Sequence, residues 1–238
     1  MRPIPLVRGW ALLPTIRFLK GVGSPVYRWL DAAGIPARTL DTPDRPVPVA
    51  SLFAFAERAA RAEGAETLGL DVGRRVSAES LGEWGRLLVG TPTLYDRIVA
   101  SSKRMRAEDT SLDLWLEVDG PTARLSFRYV DGLGPGVVHG EDFTLTLCLE
   151  IFRRSLGDEW RPQGIALVRP RGVRFRRDEM FRDVPLSHGE SSNQISLPAD
   201  LLQEPLPLLP ESFGADEPES SLAKHAPSMD FCGSVRDT

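Results

Sequence analysis

With 238 residues the chain is long enough to bury a substantial core, as one large domain or two small ones. A formal net charge of −4 and a pI near 5.5 exclude non-specific nucleic-acid binding over the whole surface and leave only a local basic patch for that role. Two cysteines, Cys148 and Cys232, are too few and too differently placed for a disulfide framework, and no apolar run reaches bilayer-spanning length, so the expectation is a soluble protein of the cytoplasm.

In chain order, residues 7–20 carry Trp10, Leu13, Ile16 and Phe18 at helical intervals, with Pro14 as an irregularity and Gly21 and Gly23 as the stop. Ser24-Pro25 reads as an N-cap and first helical residue, opening a helix through Tyr27, Trp29 and Leu30 to Gly34. Residues 35–48 hold four prolines and form a connector. Residues 50–63 predict a helix with Leu52, Phe53, Ala56, Ala59 and Ala60 inward and Gly64 as its end, and 67–76 and 79–89 predict two more. Thr91-Pro92 repeats the cap-plus-proline signature before a helix whose face is Leu94, Tyr95, Ile98 and Val99. The first hundred residues read as all-helical.

From 112 to 118 the period changes to two. Leu112, Leu114, Leu116 and Val118 face one way and Asp113, Trp115 and Glu117 the other; after the Asp119-Gly120 turn, Ala123, Leu125, Phe127 and Tyr129 alternate with Arg124, Ser126 and Arg128. That is a hairpin with matched faces, arginines opposite carboxylates. Residues 141–156 fit both a strand and a helix by periodicity. Acidic Glu141 and Asp142 at the start, basic Arg153 and Arg154 at the end and Gly157 beyond favour a buried helix. Short strands are expected at 165–168, 173–175 and 195–197, the last as an added edge. The fold class is α+β: an N-terminal helical half packed on a C-terminal ββαββ-type antiparallel sheet half. Residues 1–207 form the domain (helical 1–106, α+β 107–207), and 208–238, rich in Ser, Glu, Asp, Ala and Pro, form a linker or tail.

Chemistry-bearing motifs are few. His139, His188 and His225 lie far apart without metal-ligand spacing, and there is no nucleophile elbow or P-loop, so no metal, cofactor or catalytic residue is assigned and the chain does not read as an enzyme. Gly132, Gly134, Gly136 and Gly140 precede the long helix, but Glu141 and Asp142 would repel an anion there, and the loop reads as a connector. Arg169, Arg171, Arg174, Arg176 and Arg177 form the densest basic run, either a phosphate contact or a solvated strand. Cys148 reads as a small core hydrophobe. Trp84, Trp115, Phe127, Tyr129 and Phe143 are candidates for lining an apolar ligand pocket, with plain core as the alternative.

Several short motifs, in order, resemble the N-terminal sensory domain of AraC-type transcriptional regulators, the arabinose-binding-like type. They are Gly34-Ile35-Pro36, Ala59-Ala60 leading to Leu68-Gly69-Leu70, Leu81-Gly82, Gly90-Thr91-Pro92-Thr93-Leu94, the run from Leu156-Gly157-Asp158-Glu159-Trp160 to Arg161-Pro162, Phe181-Arg182-Asp183-Val184-Pro185-Leu186, Asn193, Leu201-Leu202 and Pro205-Leu206-Pro207. The resemblance implies a small-molecule effector, a homodimer, and a helical segment before Gly157. It also implies DNA contact only through a C-terminal domain with two helix-turn-helix units. The sequence stops at Thr238, so the expectation is a truncated regulator or a fragment, with an effector-independent partner of a full-length regulator as the alternative.

Overall fold

Pro14 decides where the first helix begins. In the computed structural model, which describes residues 3–76, 81, 85, 90–170 and 179–206, this proline sits in the first turn of α1 (Leu13–Gly21), where its missing N–H costs nothing. The residues before it do not extend that helix as their spacing predicts. Leu6–Arg8 is strand β1 and Gly9–Leu12 a 3-10 turn. β1 pairs antiparallel with β2 (Pro46–Pro48), Val7 opposite Val47, so a two-stranded ladder corrects the all-helical reading. Prolines 46 and 48 hold the residues before them extended, which turns part of the expected connector into a strand.

Helix α2 (Val26–Ala32) has Pro25, not Ser24, at its N-cap. The Ser24 hydroxyl is used elsewhere, donating to Glu63 Oε1 (2.7 Å) and accepting from Trp29 Nε1 (3.1 Å). At its other end Gly34 (φ 70°) allows Ile35 N–H to reach the Leu30 carbonyl and Gly34 N–H the Asp31 carbonyl, a Schellman closure that packs Ile35 into the same core as Leu30. Helix α3 (Val49–Glu63) buries Phe53, Ala56, Ala59 and Ala60 as the pattern predicts, and Phe55 as well. Helix α4 (Leu68–Gly73) follows; the helix expected at 79–89 lies outside the described residues apart from 81 and 85. In α5 (Leu94–Glu108) the cap is Thr93 rather than Thr91: its hydroxyl accepts from Asp96 N–H (3.1 Å) and donates to Asp96 Oδ2 (2.7 Å). Its inward face holds Leu94, Arg97, Ile98, Ser101 and Met105, while Tyr95 is exposed, because helical neighbours of Leu94 on the core side lie three and four residues on.

Strands β3 (Leu112–Asp119) and β4 (Thr122–Tyr129) form the expected hairpin around Gly120 (φ 56°) and Pro121. The register sets Asp113 opposite Arg128 and Glu117 opposite Arg124, as read from the alternation. The ion pairs that form are different and exposed: Arg128 with Asp131, Arg124 with Asp119, and Asp113 with Arg106. β5 (Gly164–Leu167), β6 (Leu186–His188) and β7 (Asn193–Pro198) complete a sheet of order β3-β4-β7-β5-β6, antiparallel except where β5 and β6 run parallel. β7 is an interior strand, not an added edge; Asn193, Ile195 and Leu197 are buried. The strand expected at 173–175 and the tail from 207 onward lie outside the described residues.

Residues 141–156 are helical, within α6 (Val137–Leu156), which starts earlier than the charge pattern indicates. α6 is the shared wall of the fold, with β4 and β7 on one side and α3 and α4 on the other. Glycines make the second contact close. A Cβ on Gly69 would lie 2.2 Å from the His139 carbonyl oxygen, and one on Gly136 would lie 2.1 Å from that of Phe53. The architecture is α+β, with one hydrophobic cluster joining sheet and α6 and a second inside the helical half; Trp10, Leu52 and Phe143 pack against both.

Candidate functional site

Those three bridging side chains also line a cavity of about 90 Å³ where the two clusters meet. Its walls come from β1, α3, α4, α5, β3, β4 and α6, and most are apolar: Val49, Phe53, Leu68, Met105, Leu112 and Leu147 among them. The polar groups are Glu108, Asp109, Tyr129, His139, Thr144 and Thr15, with the Cys148 thiol beside them. At this volume the space holds about three waters' share of liquid, well short of the roughly 300–1,000 Å³ of a drug-sized pocket.

The polar groups differ in how they are held. Glu108 accepts from Arg104 Nε (2.7 Å) and Trp10 Nε1 (3.0 Å), so its charge is matched. The Tyr129 hydroxyl is hydrogen-bonded to Thr144 Oγ1 (2.9 Å), and burial, with the Asp109 charge nearby, pushes its pKa far up. His139 Nε2 lies 3.3 Å from Glu57 Oε2. Asp109 Oδ1 accepts from both the amide (2.7 Å) and the hydroxyl (2.6 Å) of Ser111. Burial raises the Asp109 carboxyl above its ordinary range, with hydrogen bonds from Ser111 and Leu112 pulling the other way.

Two expected results follow from these shifts. A carboxyl whose folded value lies above its unfolded value keeps its proton in the native state over a window where the unfolded chain has released it; stability therefore falls as pH rises from about 3.8 through the raised value. Urea midpoints measured over that window should fall for the wild type relative to Asp109→Asn, and the difference should level off above it. Burial also pushes the Cys148 thiol up to about 12, so at pH 8 it stays protonated. Iodoacetamide should label Cys148 far more slowly in the native chain than in urea, as read from the mass of its peptide.

Of the five aromatic candidates, Tyr129 and Phe143 meet at this cavity. Phe127 shares the Tyr129 face of β4 but is fully buried in the main core, outside the cavity wall. Trp115 stands half-buried on the opposite face of β3, across from Ser126, and Trp84 lies outside the described residues. Trp10, Phe53, Glu108 and Asp109 are cavity residues that sequence reasoning missed. Trp10 and Phe53 stood out as apolar positions of helical segments, whereas nothing in a one-dimensional pattern marks the two carboxylates.

Elsewhere, Arg169, first of the basic run, points inward: its guanidinium pairs with the fully buried Asp142. The phosphate-contact reading fails at that position, and the rest of the run, 171 to 177, lies outside the described residues. Among the described residues no group of His, Cys, Asp and Glu is arranged to hold a metal, and no helix is long and apolar enough to cross a membrane.

The sequence model of the arabinose-binding domain of AraC transcription regulators, an N-terminal domain, matches residues 23–206, well over half of the chain. The chain belongs to this family. No curated protein matches the sequence. Among solved structures, the transcriptional regulator CdpR from Pseudomonas aeruginosa is similar in fold, with a TM-score of 0.56 and 16% sequence identity over 88% of this chain. The similarity spans 62% of that regulator's own chain. Family and neighbour are both described as transcription regulators.

Proposed function

We propose that residues 1–207 are the effector-sensing and self-associating domain of an AraC-like regulator acting in the cytoplasm, and that the cavity between helices and sheet is its effector site, with Tyr129 and Phe143 among the contacts. The observation that carries this reading is the position of the cavity. It lies where the core of the helical half meets the core of the sheet half, so an occupant touches α3, α4 and α6 together with β3 and β4. A ligand bound there has different contacts in different arrangements of the two halves, which is what a population shift requires. DNA contact belongs to the helix-turn-helix part of a full-length regulator, and the sensory domain sets how that part is presented. The largely apolar wall suits a compact, mostly hydrocarbon effector better than a sugar, whose hydroxyls each need a partner.

Thermal-shift screening against amino acids, sugars, amines, alcohols and carboxylic acids tests the reading, because a ligand of the native state raises Tm by mass action. Ala56 lines the cavity. Ala56→Val, which fills part of it, should leave Tm within a few degrees of the wild type and reduce the response to any hit at least tenfold. Hits that survive this change bind elsewhere and count against the cavity. Self-association is checked by sedimentation at several concentrations, where a strictly monomeric chain would refute it.

A further inference from the structure

Four aromatic side chains, Trp10, Phe53, Tyr129 and Phe143, share the wall of the cavity with two carboxylates, Glu108 and Asp109, and among the described residues no lysine or arginine lines it. The two acids are not equivalent. Glu108 has a guanidinium on it at 2.7 Å. Asp109, almost fully buried, has hydrogen bonds from its own turn and no cationic partner among the described residues. A carboxylate held in an apolar chamber is stabilised most by a counter-charge brought with the ligand. Aromatic walls favour the same ligand, since ring faces attract organic cations. Phe53 and Tyr129 are fixed edge to face, with centroids 5.3 Å apart, so part of the wall is rigid before anything binds.

We propose that the cavity is an ammonium site: it takes a small aliphatic amine, its hydrocarbon part among the aromatic rings and its charged nitrogen at Asp109, and it rejects carboxylates of the same skeleton. This rests on the effector-cavity reading and adds the charge of the ligand to it. A carboxylate would set a second unmatched negative charge beside Asp109, and an alcohol would offer a donor but no counter-charge. The volume, about 90 Å³, restricts the unexpanded cavity to a ligand of a few heavy atoms.

The test uses the whole chain at pH 7 with three probes on one skeleton, n-butylamine, n-butanol and butyrate, their dissociation constants obtained from concentration-dependent Tm shifts or calorimetry. Expected are binding in the order amine, alcohol, carboxylate, with at least tenfold between amine and butyrate, and loss of the amine's advantage over the alcohol in Asp109→Asn. Butyrate binding as tightly as butylamine, or an amine preference unchanged in Asp109→Asn, would overturn the charge assignment while butanol binding, abolished in Ala56→Val, would keep the cavity as a ligand site. Absence of any shift with all three would overturn both.

Discussion

Replacing Gly69 by alanine should lower Tm by roughly 6–12 °C, the equivalent of about 3 kcal/mol in a chain of this size. On helix propensity alone the change would help, by about 1 kcal/mol, since Gly69 lies inside α4 with no positive φ. Packing overrides propensity here. The new methyl would meet the His139 carbonyl oxygen at 2.2 Å and the Asp142 Cβ at 2.7 Å, and neither is the free end of a flexible side chain. α4 would be pushed off α6, opening the wall of the cavity that Gly69 lines. Gly21→Ala is the control: nothing lies within 4 Å of its added Cβ, and it should be neutral or raise stability by about 0.5–1 kcal/mol. Differential scanning calorimetry on both variants reads the contrast, and equal effects would show that the close approach of the two helices is absent.

Arg169→Ala should cost about 3 kcal/mol, because it removes the guanidinium paired with the Asp142 carboxylate inside the protein. Asp142 is fully buried and the Arg169 side chain is 15% exposed, so solvent does little to replace the lost partner. The neighbouring Glu141 shares this arrangement: burial raises its carboxyl, and Arg169 is the largest influence holding it down, followed by a hydrogen bond from Asn193. Removing both partners, as Asp142→Asn with Arg169→Met, should cost less than Arg169→Ala alone, since the buried Asp142 charge is removed as well and the loss of Arg169 beside Glu141 is common to both variants. Chemical denaturation of the single and double variants measures this, and a double variant less stable than Arg169→Ala would contradict it.

Periodicity and turn chemistry made most elements legible. The hairpin is there with its register because alternation is a property of adjacent residues, and α3 ends at Gly64 because a left-handed C-cap is a local demand. Boundaries slipped where a local signal had competitors. Thr91 and Thr93 both precede the same helix, and only the Asp96 side chain, three residues after Thr93, selects the cap. The first strand was lost because Val7 is equally at home in a helix or a ladder, and its partner Val47 is distant in sequence.

The candidate site was less legible than the fold, and the physical reason is dimensional. The sequence by itself determined the α+β class, the sheet-forming hairpin, the buried helix at 141–156 and, through motifs spread along the chain, the family. Each depends on spacing over a few residues or on order. Which aromatics share a cavity, why Tyr129 lines it and its neighbour on the same face, Phe127, does not, and that a carboxylate at 109 is buried with no cation beside it among the described residues depend on elements more than a hundred positions apart meeting across α6. Long-range packing decides those meetings, and only the tertiary structure carries them.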